Sequence, residues 1–367
     1  MASTGRKPVI VEREVLRDSR TGRELWRVSP ADRPCAAGYM YITSFTPDER
    51  YLVYVADIGG SKQLYRLEIA TGETLQLTEF ERPRALGGWN LHPSGSEVFA
   101  WDGSRCVAIH IETLEERIAL DPSRHDWLRN PEGSPMFSPS GKYFSLWFTH
   151  GPDHRGVARA ACDGSGAEEV FRRDSRLNHV QYCPASDDLV SFVAQPDLQN
   201  DFWRSDRERA HVWLVDCRTK TAEPVLIAPK GFRVTHSYWS PGGERIYYHR
   251  KTVPTWVPTW IGWKDVKTGE TREFYGSETV RLGHSFATRD EKWVVTDSQD
   301  PGTNPLVLIE LASGRGEVLC WPDSRNRENA PGVFGNHVHP SFSPSGRYVL
   351  FTSDSTGIPQ VYLVPRW

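Results

Sequence analysis

Histidines recur in this sequence at one fixed distance from a repeated turn. The residue five positions before the turn is histidine in four successive segments: His179, His236, His284 and His339. His337 lies two residues before the last of these. A neutral imidazole can bind a divalent metal ion, and it can also accept a proton near neutral pH. The pattern therefore predicts a metal site with a proton acceptor beside it.

The segments that carry these histidines are copies of one repeat. Each copy has an aromatic or apolar residue, a turn and then a strand of alternating apolar residues, as in Ser44–Asp57 and Ser341–Asp354. The turns are 45 to 57 residues apart, close to the length of a four-stranded propeller blade. The turn residues are Pro47, Pro93, Pro139, Pro184, Pro241, Arg289 and Pro344. We therefore expect an all-β fold, a seven-bladed β-propeller that occupies residues 1–367 as a single domain.

The two ends of the chain are expected to share one blade. The last copy ends at Gln360–Trp367, which supplies a third strand but no fourth. Near the other terminus, Arg17–Ser29 has the turn and outer strand found at the end of other copies. An N-terminal strand would thus complete the last blade and close the ring, which removes exposed sheet edges.

The segment before this turn is the innermost strand of a blade, beside the central channel. Four neighbouring blades would therefore direct imidazoles into one channel. Residues i and i+2 of a strand share a face about 7 Å apart, so His337 and His339 can converge on one ion. His284, on the adjacent blade, completes a three-nitrogen set with open coordination positions. The first three blades place other residues in the register: Ile42, Gly88 and Ser134. Three histidines outside the register are expected to be structural: His150, His154 and His249.

Charge and composition exclude several classes of partner. The chain has 44 Lys and Arg against 47 Asp and Glu, a net charge of −3, which gives no general attraction to nucleic acid or to anionic membranes. No run approaches 18 apolar residues, so no membrane span is predicted. The six cysteines are scattered without a CxxC pair, which favours a reducing compartment and a cytoplasmic protein. An acidic ligand would need local cations, such as those of Trp203–Arg209 and Trp321–Arg327.

Several segments resemble the oligogalacturonate lyases, which are cytoplasmic seven-bladed propeller enzymes that depend on a divalent metal, usually manganese. The similarity runs almost from end to end. It includes the opening turn SRTGRELWRVSPADRPC of Ser19–Cys35 and the ending HVHPSFSPSGRYVLFTSD. The HxHPSF motif followed by LFTSD is the most specific part, because generic propeller repeats lack the paired histidines.

The resemblance implies a role for each histidine of the channel. It makes His284, His337 and His339 the metal ligands and His236 the general base. Two positions depart from the family pattern. Phe334 stands where the family has a glutamine ligand, and His211 stands where it has an arginine. Asn336 or water is a candidate to replace the glutamine; the candidates to replace the arginine are Arg209 and Arg207.

The reaction implied is β-elimination from an acidic oligosaccharide. The C5 proton of a uronate is α to a carboxylate, and a metal bound to that carboxylate stabilises the charge that develops when the proton leaves. His236 would accept the proton, with His211 and Arg209 also at the reacting centre, and the product would be 4,5-unsaturated. His179 and Arg207 would bind the sugar. Two alternatives remain: the same chemistry on another uronate linkage such as glucuronate, and a non-catalytic propeller that binds a protein.

Overall fold

The computed structural model describes residues 6–81, 84–152, 154–194, 210–300, 305–325 and 337–366. Within these ranges, thirty strands form seven antiparallel sheets. The first three sheets are built from β1 (Val9–Ile10), β4 (Cys35–Ala36), β5 (Tyr51–Ile58), β6 (Ser61–Glu68) and β7 (Glu73–Gln76); then β8 (Trp89–Leu91), β9 (Glu97–Trp101), β10 (Cys106–His110) and β11 (Glu116–Leu120); then β12 (Pro131–Phe137), β13 (Tyr143–Thr149), β14 (Arg155–Ala161) and β15 (Ala167–Arg173).

The other four sheets continue the same plan. They are built from β16 (Leu177–Tyr182), β17 (Leu189–Ala194), β18 (Ala210–Asp216) and β19 (Thr221–Ile227); β20 (Phe232–Trp239), β21 (Arg245–Thr252), β22 (Thr259–Asp265) and β23 (Thr271–Ser277); β24 (Leu282–Ala287), β25 (Trp293–Ser298), β26 (Leu306–Glu310) and β27 (Gly316–Cys320); and finally β2 (Glu14–Arg17), β3 (Glu24–Arg27), β28 (Ser341–Phe342), β29 (Tyr348–Ser353) and β30 (Gln360–Pro365). A 3₁₀ turn covers Pro122–Arg124. This is the seven-bladed β-propeller that the repeat predicted.

The hairpin of β5 and β6 shows why these sequences form blades. The strands pair residue by residue across Gly59 and Gly60, both of which have positive φ, as the tightest hairpin turns require. Tyr51 to Ala56 is buried at every position rather than at alternate ones. A strand inside a propeller blade is covered on both faces by neighbouring blades, which explains the continuous apolar run.

Apolar side chains form seven core clusters, and each cluster joins two neighbouring sheets. The junction between the first and last sheets is one of them, with Leu52 and Tyr54 packed together with Leu350 and Leu363. The first and last blades are thus held by packing of the same kind as every other pair.

The N-terminal segment joins two sheets. β3 pairs with β30, with Trp26 opposite Leu363, and β2 pairs with β3, so residues 14–27 form the outer part of the last blade as expected from Arg17–Ser29. β1 instead pairs with β7, with Val9 opposite Thr74. β1 thus extends the first blade rather than the last, because the outer edge of β7 offers unpaired backbone groups to a β-branched segment.

Candidate metal centre

The inner strands share a local irregularity at the histidine register. The pairing of β16 shifts between Asn178 and Gln181, and that of β20 shifts between Thr235 and Tyr238. The histidines of the register in three blades have left-handed backbone conformations, with φ of 48° at His179, 52° at His236 and 46° at His339. A β-bulge turns a side chain out of the sheet. The bulge therefore explains why the residue five positions before the turn faces the channel: it turns that side chain out of the sheet.

Three of the histidines come together as predicted. One ring nitrogen from each of His284, His337 and His339 lies within 4.8 Å of the other two. The ring centroids of His284 and His339 are 4.3 Å apart, and that of His337 is 5.4 Å from each of them. His284 is buried, and the other two are half-buried.

The paired histidines converge through a different local structure from the one expected. His337 and His339 precede β28 instead of lying in a strand. The left-handed conformation of His339 interrupts the extended backbone, while the N–H of Thr352 donates to the carbonyl of Val338 between them. Their rings are nearly parallel, with an interplanar angle of 20°. His337 and His339 therefore lie close together as the i and i+2 spacing predicted, although the segment is not a regular strand.

Asp297, the penultimate residue of β25, fixes two of these histidines. Its Oδ2 is 3.1 Å from Nδ1 of His284 and accepts the backbone N–H of His339 at 3.2 Å, while Oδ1 accepts the backbone N–H of His284. A carboxylate that holds Nδ1–H leaves Nε2 of that imidazole for a metal. Burial raises the pKa of Asp297, which the His284 N–H and the neighbouring imidazoles oppose. Sequence reasoning missed Asp297. The available signal was a charged residue at a position that other copies fill with Val55, Trp147, Val193 and Thr352.

Tyr39 is a second residue that sequence reasoning missed. Its ring centroid lies 4.6 Å from that of His339, 5.4 Å from that of His284 and 5.6 Å from that of His179. Tyr41, two residues further along, has its hydroxyl within hydrogen-bonding distance of Nδ1 of His179. The first blade therefore supplies aromatic walls to a site whose imidazoles come from the last four blades.

His236 lies beside the three-histidine cluster but outside it. Its ring centroid is 4.2 Å from that of His284, and it is half-buried. Burial holds the pKa of His236 well below its usual value, and the neighbouring His284 and Lys251 lower it further. His236 is therefore a neutral imidazole that a ligand in the channel can reach. His249 packs behind it with Nε2 2.8 Å from Oγ of Ser285.

A second group of potential ligands lies on the third blade. Ring nitrogens of His150 and His154 and a carboxylate oxygen of Asp174 are within 4.8 Å of one another. Nδ1 of His154 is 3.6 Å from Asp174, and the side chains of the two are 45% and 83% exposed. This exposure is typical of a surface ion pair, whereas the channel cluster is enclosed.

The channel cluster fits a divalent transition metal. Imidazole nitrogens suit such ions better than they suit calcium or magnesium. Burial lowers the pKa of His284 and of His339, so both are in the neutral form that binds metals. Three nitrogen ligands leave coordination positions for an oxygen ligand.

Comparison with known proteins gives one consistent result. A family model described as oligogalacturonate lyase matches residues 2–131. The oligogalacturonide lyase of Pectobacterium atrosepticum and the oligogalacturonate lyase of Dickeya dadantii are each 24% identical over 377 residues, which cover 94% of this chain and 94% of theirs. A solved oligogalacturonate lyase in complex with manganese has a TM-score of 0.85 at 23% identity, over 99% of this chain and 98% of its own. One from Vibrio parahaemolyticus has a TM-score of 0.84 at 20% identity, over 98% of each chain.

This chain is similar to the oligogalacturonate lyases over almost its whole length. At the position of the arginine in the pattern of the oligogalacturonate lyases, His211 lies at the start of β18 and is buried. Burial lowers the pKa of His211 to about 3, and the nearby charges of Arg233 and His179 act in the same direction. A neutral imidazole does not supply the positive charge that an arginine would carry at this position.

The remaining predicted residues divide into two groups. His179 is half-buried in the fourth blade, and burial lowers its pKa to about 4. It lines a cavity of about 210 Å³ with Tyr41 and Trp147. Four residues lie outside the described ranges: Arg207, Arg209, Phe334 and Asn336. Within the described ranges, no helix is long and apolar enough to cross a membrane.

Proposed function

We propose that this protein is a metal-dependent lyase that cleaves uronate-containing oligosaccharides, such as oligogalacturonates, by β-elimination to give 4,5-unsaturated products. The observation that carries the proposal is the enclosed three-histidine cluster with a separate, half-buried His236 beside it. The relatives are named for this activity, and one is solved with manganese. We propose manganese as the ion.

The ligands would be His284, His337 and His339, with Asp297 holding the ring of His284 in place. A divalent ion there supplies positive charge that binds and polarises the uronate carboxylate. His236 accepts the C5 proton at a ring nitrogen. The C5–H electron pair forms the C4=C5 double bond, the C4–O bond breaks, and the leaving oxygen takes a proton from water. His236 is neutral and can therefore accept a proton. The negative charge of the approaching carboxylate raises the pKa of His236 because it offsets the positive charges nearby.

The remaining channel residues position the sugar. His179 is held by the hydroxyl of Tyr41 and faces the cavity beside the cluster. Tyr39 covers the imidazoles and limits the access of water. We retain His211, Arg207 and Arg209 as substrate-facing candidates around the reacting sugar, as the resemblance implied.

A screen tests this function directly. Purified protein is incubated with short galacturonate oligomers, with and without chelator, and the unsaturated product is followed by ultraviolet absorbance. We expect absorbance to rise, to stop when chelator is added and to resume with manganese. Absence of product from every uronate oligomer would contradict the proposal and favour a binding protein.

A second linkage is supported by one observation. The neutral His211 replaces the arginine of the family pattern, so the surroundings of the sugar differ from those in the relatives. Oligomers that contain glucuronate therefore belong in the same screen. We also propose a cytoplasmic location, because all six cysteines are buried and free.

A further inference from the structure

Two cationic residues face each other on the fifth blade. Arg233 of β20 lies directly opposite Lys251 of β21 in the antiparallel pairing. Residues in this relation have side chains on the same face of the sheet, about 5 Å apart, where like charges oppose folding. Both lie near the end of the blade that carries His236, which is three residues after Arg233. Neither was singled out from the sequence.

An aromatic ring lies next to both cations. The centroid of the Trp256 ring is 5.1 Å from Cζ of Arg233 and 5.3 Å from Nζ of Lys251. Trp256 belongs to the loop between β21 and β22. Its backbone is held at both sides: its N–H donates to the carbonyl of Thr252, and its carbonyl accepts from Oγ1 of Thr259. The half-buried ring is thus a fixed wall beside the two charges.

Among the described residues, the carboxylates whose charges act on Lys251 are also held by other partners. Lys251 is 0% exposed, and its Nζ donates to the neutral amide oxygen of Gln299 at 3.0 Å. Of the two carboxylates whose charges act on it, Asp297 accepts hydrogen bonds from the metal-site histidines and Asp300 pairs with Arg281 at 2.8 Å. Burial lowers the pKa of Lys251 to about 7, and the charge of Arg233 contributes. A buried cation of this kind is stabilised by an incoming anion.

The position of this group relates it to the reacting sugar. Three residues of extended strand span about 10 Å, so the backbone of Arg233 lies up to that far along β20 from His236. Arg233 lies close enough to His211 for its charge to act on that imidazole. A neighbouring sugar of the same acidic chain would bring a second carboxylate to this distance.

We propose that Arg233, supported by Lys251 and walled by Trp256, is a second carboxylate-binding subsite that holds a uronate next to the one being cleaved. The inference rests on the proposed function. Arg233 contacts the substrate, whereas Lys251 is a positioning residue behind it.

Calorimetric binding of galacturonate trimer to chelator-treated, metal-free protein tests the subsite without catalysis. Arg233→Gln should raise the Kd about 10- to 100-fold, as expected for loss of a charge-assisted hydrogen bond, and Arg233→Lys should restore part of the affinity. Trp256→Ala should also weaken binding. Arg218→Gln, which removes an exposed arginine from the turn between β18 and β19, is the matched control and should bind as the parent does.

The metal-loaded enzyme gives a second readout. Arg233→Gln should raise KM by a similar factor and leave kcat within a few-fold, because the residue lies away from the reacting bond. A Kd within threefold of the parent, or equally tight binding of a neutral galactose trimer, would overturn the subsite. Lack of turnover in the parent would instead contradict the proposed function, and the calorimetric comparison would still decide whether Arg233 binds carboxylates. Melting curves of each variant show whether it is folded.

Discussion

The two sides of the channel are built on one backbone plan but differ in what they place at the register. The last four blades supply imidazoles, and the first three supply Ile42, Gly88 and Ser134. Ile42 packs into the core between the first two blades. A Cβ on Gly88 would lie 2.5 Å from the carbonyl oxygen of Gly133, so glycine there lets the second and third blades approach closely. One side of the ring is thus specialised for chemistry, while the other keeps the packing and provides the cavity next to His179.

Removing the paired histidines should have the largest effect. The double variant His337→Ala/His339→Ala loses two of three ligands, so we expect it to bind no divalent metal and to lack turnover. Elemental analysis of the purified protein measures this. His150→Ala/His154→Ala removes the other group of potential ligands, on the third blade, and should keep the metal. If the control lost the metal and the channel variant kept it, the metal site would lie on the third blade and not in the channel.

Replacing His236 separates proton transfer from metal binding. His236→Ala should keep the metal and most of the affinity for uronates but lose about 10²–10⁴ in kcat, the range for removal of a positioned general base. Turnover and metal content are measured on the same sample. Loss of metal would instead make His236 a ligand, and turnover within a few-fold of the parent would transfer the role to His179 or His211.

Replacing Asp297 measures how much its hydrogen bond to His284 contributes to metal affinity. Asp297→Asn keeps the size of the side chain but weakens its hold on the ring of His284, so we expect metal affinity to fall about 10- to 100-fold. Competition with a chromogenic chelator gives the affinity. Asp300→Asn, which removes a half-buried carboxylate paired with Arg281, is the control for loss of a nearby negative charge. If both substitutions lowered metal affinity equally, Asp297 would act only through its negative charge and not through its hydrogen bond to His284.

The smallest expected effect lies on the other side of the channel. Gly88→Ala forces a methyl group against the backbone of Gly133, and we expect it to lower the free energy of unfolding by about 1–3 kcal/mol while the metal content is unchanged. Gly166→Ala has no atom within 4 Å of the added Cβ and should change stability by less than about 0.5 kcal/mol. Denaturant titration compares the two. Metal loss in Gly88→Ala would show that the two sides are coupled.

The fold was predictable because seven copies of one sequence pattern each indicate a propeller blade. Each copy carries the same turn, so errors in one copy do not alter the architecture. The pairing of β1 with β7 was not predictable, because two exposed apolar residues carry no information about which edge they meet.

The site was predictable only where it follows the repeat. The register histidines lie at a fixed distance from the turn, and three of them, His179, His236 and His284, lie at a shift in strand pairing, so aligning the copies finds them. Asp297 and Lys251 lie near the ends of second strands and become neighbours of the site only through the curvature of the ring. Tyr39 contacts histidines that are more than 130 residues away in sequence. No local sequence pattern predicts such a contact.

The packing between neighbouring blades limits the route by which an oligosaccharide could reach the histidines. Because an apolar cluster fills each of the seven junctions between the described sheets, a sugar chain that binds at the histidines would arrive along the axis of the ring. One end of the polymer can then reach the imidazoles while its remainder stays at the mouth, among loops such as residues 253–258. We therefore expect these loops to influence the preference for chain length.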